Sequence, residues 1–321
     1  MALRAFLELI RLPNLLIVIT TQLVVYELII KLWSVLEPLG LEGPAINYTD
    51  LFLLISLTLV ATASGNIIND YMDWENDLSF GKKSDAYKAK WTKKTLWKLY
   101  QIFSIIYLFL MALFVFQTGL FIKSILLVFI YIALYVYSAY WKKQAFVGNL
   151  AVAVLSSMVV FVLYYFDKNL WPNITANWLE PVYMLGLIYM VFAFILSLAR
   201  ELVKDMEDLA GDRAFNLNTL PIVLGLPIAK FYYIVLLIFS ISFLAYLLCQ
   251  LYLAHFYYLV ALGAMALLLP QIWLCENICK AKTKSHFKMH SKYLKIQMLF
   301  GLLLLSGISY MFYLNGCFLC G

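Results

Sequence analysis

The chain has 321 residues, of which 64% are hydrophobic, 13% charged and 17% aromatic, with a net charge of +6. A soluble domain is about 45–50% apolar and about 25% charged, so this balance excludes a disordered chain and argues against a soluble enzyme. It also argues against nucleic-acid binding, because the basic residues sit between apolar runs and not along one wet face; five cysteines in a chain this long are no disulfide framework.

An α-helix needs about 20 apolar residues to cross a bilayer. Nine runs qualify, in chain order 12–33, 50–69, 98–117, 120–140, 146–166, 180–200, 228–250, 254–275 and 294–315. They are read as helices because backbone polar groups must pair internally in lipid. A membrane barrel would show ten-residue alternating segments, and runs such as LVVYELIIKLW and LLLLSGISYMFYL do not alternate. The first run is too long for a cleavable signal, and no small-x-small site follows it. The expectation is an all-α polytopic membrane protein whose residues 1–321 form one membrane-embedded domain.

The basic residues orient these spans. Arg4 and Arg11 precede the first, and seven lysines between 82 and 98 follow the second. Lys142 and Lys143 follow the fourth, Arg200, Lys204, Arg213 and Lys230 follow the sixth, and six lysines between 280 and 295 follow the eighth. One side therefore holds 21 of the 24 basic residues, leaving Lys31, Lys123 and Lys168 for the other. The positive-inside rule then predicts a cytoplasmic N-terminus and, after nine crossings, an external C-terminus.

The acids are concentrated on the same side. Asp70, Asp73, Glu75 and Asp77 close the second run, and Glu201, Asp205, Glu207, Asp208 and Asp212 close the sixth, which is half of the chain's 18 acids. Asp70, Asp73 and Asp77 have the spacing of Asp205, Asp208 and Asp212. At about 100° per helical residue, each trio shares one narrow face. Like charges one turn apart repel and raise one another's pKa unless a cation neutralises them. All the ligands are oxygens, and neither cluster holds His or Cys, which suits Mg²⁺ and argues against zinc. Mg²⁺ takes one or two carboxylates and leaves positions for phosphate oxygens, so two such sites could clamp a diphosphate.

NDYMDWEND at 69–77 resembles the first aspartate-rich motif of the UbiA prenyltransferases, N-D-x-x-D-x-x-x-D. RELVKDMEDLAGD at 200–212, followed by TLP at 219–221, resembles the second. YSAYWKK at 137–143, with Gly148 and Asn149 after it, is similar to the family's tyrosine-serine and basic stretch. The likeness covers nearly the whole chain. It implies a nine-helix bundle with a central cavity, and an intramembrane enzyme that moves a polyprenyl chain from its diphosphate to a lipophilic acceptor. It also implies one Mg²⁺ (or Mn²⁺) on Asn69, Asp73 and Asp77, supported by Asn66 and Asp70. A second would sit on Asp208 and Asp212, with Asp205 beside them. Lys142 and Lys204 would touch the diphosphate, and Tyr137 and Ser138 would lie near the reacting end of the prenyl chain.

The chain departs from the family pattern after the first motif. The usual I-N-x-P-x-R-P stretch is replaced by LSFGKKSDAYKAKWTKK, in which Lys82 and Lys83 supply charge but not arginine's bidentate fork. Asn216 stands where family members often have glycine, a mild change because Asn tolerates a left-handed turn. The form of the second motif is closest to members that prenylate geranylgeranylglycerol phosphate, while quinone-pathway members acting on aromatic acids share its aspartates. A cation- or proton-coupled transporter is the alternative, since transporters also bury carboxylates in bundles. Their sites lie near the midplane, whereas both clusters here close the ends of spans. The C-x-x-C of Cys317 and Cys320 and the sequons at Asn47 and Asn173 carry no function in this reading.

Overall fold

The computed structural model describes residues 2–31, 46–79, 87, 90–167 and 181–315. Lys82, Lys83, Lys168, Asn173, Cys317 and Cys320 lie outside the described residues. Among the described residues nine helices are long and apolar enough to cross a membrane, and no strand occurs. In order these helical elements are α1 (Ala2–Leu9), α2 (Leu12–Val25) running into a π turn at Tyr26–Lys31, α3 (Tyr48–Met72) and the short α4 (Trp74–Ser79). Then come α5 (Lys93–Thr118), α6 (Ile125–Ala139), a 3₁₀ turn at Trp141–Lys143, α7 (Val147–Phe166) and α8 (Pro181–Ala214). The chain ends with α9 (Leu220–Val223), α10 (Leu226–Leu253), α11 (Tyr257–Gly263), a π turn at Ala264–Leu268, α12 (Leu269–Lys280) and α13 (Lys284–Asn315).

The ends of these helices have local causes. Asn47 caps α3 by accepting from the Asp50 N–H at 2.9 Å, and Thr92 with Thr95 forms a reciprocal capping box that starts α5. Gly119, at φ +68°, ends α5 in the left-handed region that glycine enters without a steric penalty. Two predicted runs prove too short. The sixth, expected over 180–200, continues to Ala214, and the ninth, expected over 294–315, begins at Lys284. Hydropathy ends where the lipid ends, but backbone hydrogen bonding continues until something stops it. For α8 the stop is Asn216, at φ +52°, as its tolerance of that region predicted. The Leu217 N–H then bonds back to the Asp212 carbonyl at 3.0 Å.

The chain divides into two compact units. Unit 1 is Met1–Leu23, Pro44–Lys142 and Val162–Trp171. Unit 2 is Val24–Gly43, Lys143–Phe161 and Pro172–Gly321. In unit 1, α3 packs on α5 and α6. Tyr131 ties all three, its hydroxyl lying 2.6 Å from Ser64 Oγ and 2.7 Å from Ser104 Oγ. Its ring stacks on Tyr107 at 4.3 Å between centroids. In unit 2, α8 packs on α13 and α10. A Cβ at Gly301 would lie 2.5 Å from Phe192 Cε1, so only glycine lets α13 come this close to α8. Close approach through small residues is how spans associate where lipid removes the hydrophobic drive.

Candidate active site

The first acidic cluster belongs to unit 1. α3 stops at Met72, and Asp73 is its C-cap, at φ −90° and ψ 4°. The expected unbroken helix is therefore interrupted at Asp73, with Asp77 on α4. The alignment survives the break, because the Asp73 N–H bonds to the Asn69 carbonyl and the Asp77 N–H to the Asp73 carbonyl, each at 2.9 Å. Asn69, Asp73 and Asp77 thus follow one another at i, i+4 and i+8. Asn69 Nδ2 donates to Asp73 Oδ2 at 3.1 Å. From the 3₁₀ turn after α6, Lys142 Nζ donates to Asp73 Oδ1 at 2.6 Å and to Asn69 Oδ1 at 3.3 Å.

Asp70 is one residue along and faces elsewhere. Its side chain has no exposure and pairs with Arg11 Nη2 at 3.2 Å. It also accepts from the Tyr87 hydroxyl at 2.7 Å. Burial lowers the Arg11 pKa, but Asp70, with Tyr137 and Asp73 beyond it, outweighs this and holds it above the ordinary guanidinium range. Burial first, and the Asp70 carboxylate second, push the Tyr87 phenol far above its usual range, so it remains a donor. Asn66 Nδ2 donates to the Ile10 carbonyl at 3.0 Å, and the Trp91 indole N–H to the Ala5 carbonyl at 3.1 Å. Ala5, Leu9, Ile67, Tyr87, Trp91 and Leu96 form one buried cluster under these bonds. Ser138 is buried, and its hydroxyl donates to the Leu134 carbonyl at 3.1 Å. Asp70, Asn66 and Ser138 thus contact the protein itself, while Asn69 and Asp73 meet at a cation.

The second cluster belongs to unit 2 and lies on the unbroken α8, as its spacing predicts. Asp205 Oδ2 accepts from Asn149 Nδ2 of α7 at 2.8 Å. Asp208 Oδ1 lies 3.8 Å from Lys284 Nζ at the start of α13. Asp212 is buried one turn further on. Glu201 is bonded by Arg200 Nη1 at 2.8 Å and by Lys204 Nζ at 3.1 Å to each oxygen. The Asn218 N–H holds the Lys143 carbonyl at 3.0 Å.

Four participants escaped the sequence reading as site residues: Arg11, Tyr87, Glu201 and Lys284. Arg11 and Tyr87 lie 59 and 17 residues from Asp70, so no local spacing could link them to it. Lys284 was visible only as one of many lysines in the loop after the eighth run. Among the described residues no three His, Cys, Asp or Glu side chains converge into a ready-made metal cluster. The donor set nevertheless fits a hard cation. Two oxygens from Asn69 and Asp73 already surround the Lys142 ammonium, and Mg²⁺ uses one or two carboxylates, with phosphate oxygens completing its shell.

The comparisons with known proteins bear on the family and the fold. The sequence profile of the UbiA prenyltransferase family matches residues 32–313. The digeranylgeranylglyceryl phosphate synthase of Methanosphaera stadtmanae is 29% identical over 266 residues, which are 81% of this chain and 88% of that protein. The synthase of the same name from Sulfolobus acidocaldarius is 29% identical over 90% of this chain and 94% of its own. A solved structure described as giving insights into digeranylgeranylglyceryl phosphate synthase in membranes aligns with TM-score 0.65 and 23% identity, over 97% of this chain and 99% of that one. The apo structure of a UbiA homologue from Aeropyrum pernix aligns at TM-score 0.61 and 14% identity, over 92% and 96%. These two likenesses establish the fold. With its all-helical fold, its nine apolar spans and a family match over most of its length, the chain is an integral membrane prenyltransferase and belongs to the UbiA prenyltransferase family.

Proposed function

We propose that this prenyltransferase requires Mg²⁺, with Mn²⁺ as a substitute, and transfers a geranylgeranyl-type chain from its diphosphate to the hydroxyl of geranylgeranylglyceryl phosphate. The observation that supports the metal reading is that the Lys142 ammonium is held between Asn69 Oδ1 and Asp73 Oδ1 at the end of α3, a pair of oxygens suited to positive charge. The acceptor reading is supported by relatives named digeranylgeranylglyceryl phosphate synthase that match over 81% and 90% of the chain. Lysines near both clusters suit an acceptor that itself carries phosphate.

In this reading Asn69, Asp73 and Asp77 hold one metal, and Asp208 and Asp212, with Asp205 beside them, hold the other. Bound there, Mg²⁺ withdraws charge from the leaving diphosphate. Lys142 binds the diphosphate by exchanging its contact with Asp73 for the phosphate oxygens, and Lys204 supplies a second positive charge. The allylic C–O bond breaks and its electron pair leaves with the diphosphate. Tyr137 shelters the electron-poor carbon with its ring. The acceptor hydroxyl oxygen forms the new C–O bond and its proton passes to the released diphosphate. Asn149 keeps Asp205 aimed, and Arg11 with Tyr87 keeps Asp70 fixed below the first metal site. Both clusters face the cytoplasm, with the N-terminus on that side and the C-terminus outside. The two compact units act together as one enzyme.

The test uses the full-length protein in nanodiscs with radiolabelled geranylgeranyl diphosphate and either geranylgeranylglyceryl phosphate or 4-hydroxybenzoate as acceptor. A labelled glycerophosphate ether that vanishes with EDTA and returns with Mg²⁺ is expected. Product from the aromatic acid alone would overturn the acceptor, and turnover unaffected by EDTA would overturn the metal.

A further inference from the structure

The interior of unit 2 contains polar side chains that none of this chemistry uses. Ser240 of α10, Gln271 of α12 and Gln297 of α13 are 0%, 0% and 2% exposed. Ser240 Oγ and both amide atoms of Gln271 and Gln297 have no hydrogen-bond partner among the described residues. All three lie inside spans, where neither lipid nor bulk water can satisfy them.

The helix register brings the three to one level. Tyr233 Oη lies 3.1 Å from His290 Nδ1, which sets α10 beside α13. Leu244 and Gly301, equally far along those helices, line one apolar cavity. The two helices therefore run parallel with a constant offset, which puts Gln297 at the level of Ser240. α12 runs the other way, since Lys230 Nζ reaches the Cys279 and Ala281 carbonyls at 3.3 and 2.6 Å. Leu267 shares the cavity with Leu244. Four residues back from Leu244 is Ser240, and four residues on from Leu267 is Gln271.

Their surroundings restrict what fits. Leu237, Leu274 and Leu294, three residues away on the same helices, are each 0% exposed and close the side toward Tyr233 and His290. The apolar cavity lies on the other side. The set is uncharged, offers donors and acceptors together, and is almost fully buried. Just before Gln271, the π turn at Ala264–Leu268 shifts the carbonyl register, and Pro270 brings no N–H to repair it. A buried amide or hydroxyl without a partner is costly, and a polar pocket of this kind is where proteins keep internal water.

We propose that Ser240, Gln271 and Gln297 enclose an intramembrane hydration site that binds water as a resident ligand. A buried water makes about three hydrogen bonds, so the five orphaned atoms suit about two molecules. The site is distinct from both acidic clusters and sits at the irregular joint between α11 and α12. There, exchangeable water satisfies what the helices cannot.

Pulsed X-ray radiolysis of the full-length protein in nanodiscs tests this, because radicals made from bound water oxidise the side chains beside it. The probe is water itself. Leu237, Leu274 and Leu294 should be labelled severalfold more than Leu54 and Leu57 of α3, which are also 0% exposed. Gln271→Leu with Gln297→Leu should return them to the Leu54 level. Wild-type labelling no higher than at Leu54 would overturn the proposal, whether the side chains pair directly or a neutral lipid group takes the site. Undiminished labelling in the double variant would overturn it equally. If that variant fails to fold, the wild-type comparison and the single substitution Ser240→Val decide.

Discussion

The two acidic clusters share one spacing and have different neighbours. In the first, the helix breaks at Asp73, Asp70 is locked by Arg11 and Tyr87, and Asp73 meets Lys142. In the second, the helix is continuous, Asp205 is held by a neutral amide, and Asp208 faces a lysine 3.8 Å away on another helix. The acid given two strong partners also differs, being the first member of the trio in one case and Glu201, outside the trio, in the other. Equal spacing therefore fixes neither the direction in which each acid faces nor its work. The assignment comes from whichever cations and amides neighbouring elements bring within reach.

The largest expected effect tests what the clusters share. If both hold metal, EDTA should abolish prenyl transfer completely, and Asp73→Asn and Asp208→Asn should each lower turnover by about 10²-fold or more, the scale of one electrostatic stabiliser. Steady-state assays on folded protein measure this, and near-normal rates in both variants would remove the metal role from the two positions together.

The next effect should split the clusters. Asp70→Asn leaves Arg11 without its carboxylate and weakens the Tyr87 bond in a buried setting, a loss of about 1–3 kcal/mol of stability. Asp205→Asn keeps a group that can pair with Asn149 and should leave the melting temperature nearly unchanged. Thermal unfolding in detergent compares the two, and equal shifts would erase the distinction drawn between them. Tyr87→Phe sharpens the point, since it removes one hydrogen bond to a charged acceptor, worth about 1.5–3 kcal/mol, without touching any proposed ligand. Its KM for Mg²⁺ should stay at the wild-type value.

Smaller effects belong to the lysines. Lys204 is expected at the diphosphate yet lies on Glu201 at 3.1 Å. Lys204→Arg should be nearly silent if it only anchors α8, and should fall between wild type and Lys204→Gln if it holds the leaving group. Turnover at saturating acceptor separates these outcomes. The smallest change is expected at the exposed pair of Lys93 and Glu75, 3.0 Å apart. Lys93→Ala should cost at most about 1 kcal/mol, as exposed ion pairs do.

Much of this protein was legible in its sequence alone because the bilayer is a severe and uniform solvent. Twenty apolar residues in lipid have one backbone solution, so the nine apolar runs appear as nine span-length helices among the described residues. Spacing put Asp70, Asp73 and Asp77 on one face, whereas the structure lines up Asn69, Asp73 and Asp77 at i, i+4 and i+8 and turns Asp70 to Arg11 and Tyr87. Tertiary structure decided which groups face each aligned acid. Arg11 reaches Asp70 across 59 residues, and Lys142 reaches Asp73 across 69, distances at which sequence has no period to follow. It also decided that Ser240, Gln271 and Gln297 are buried at one level of three neighbouring helices. Each of them reads as an isolated polar residue in a greasy run, and only the register of the folded helices suggests the shared hydration site proposed above.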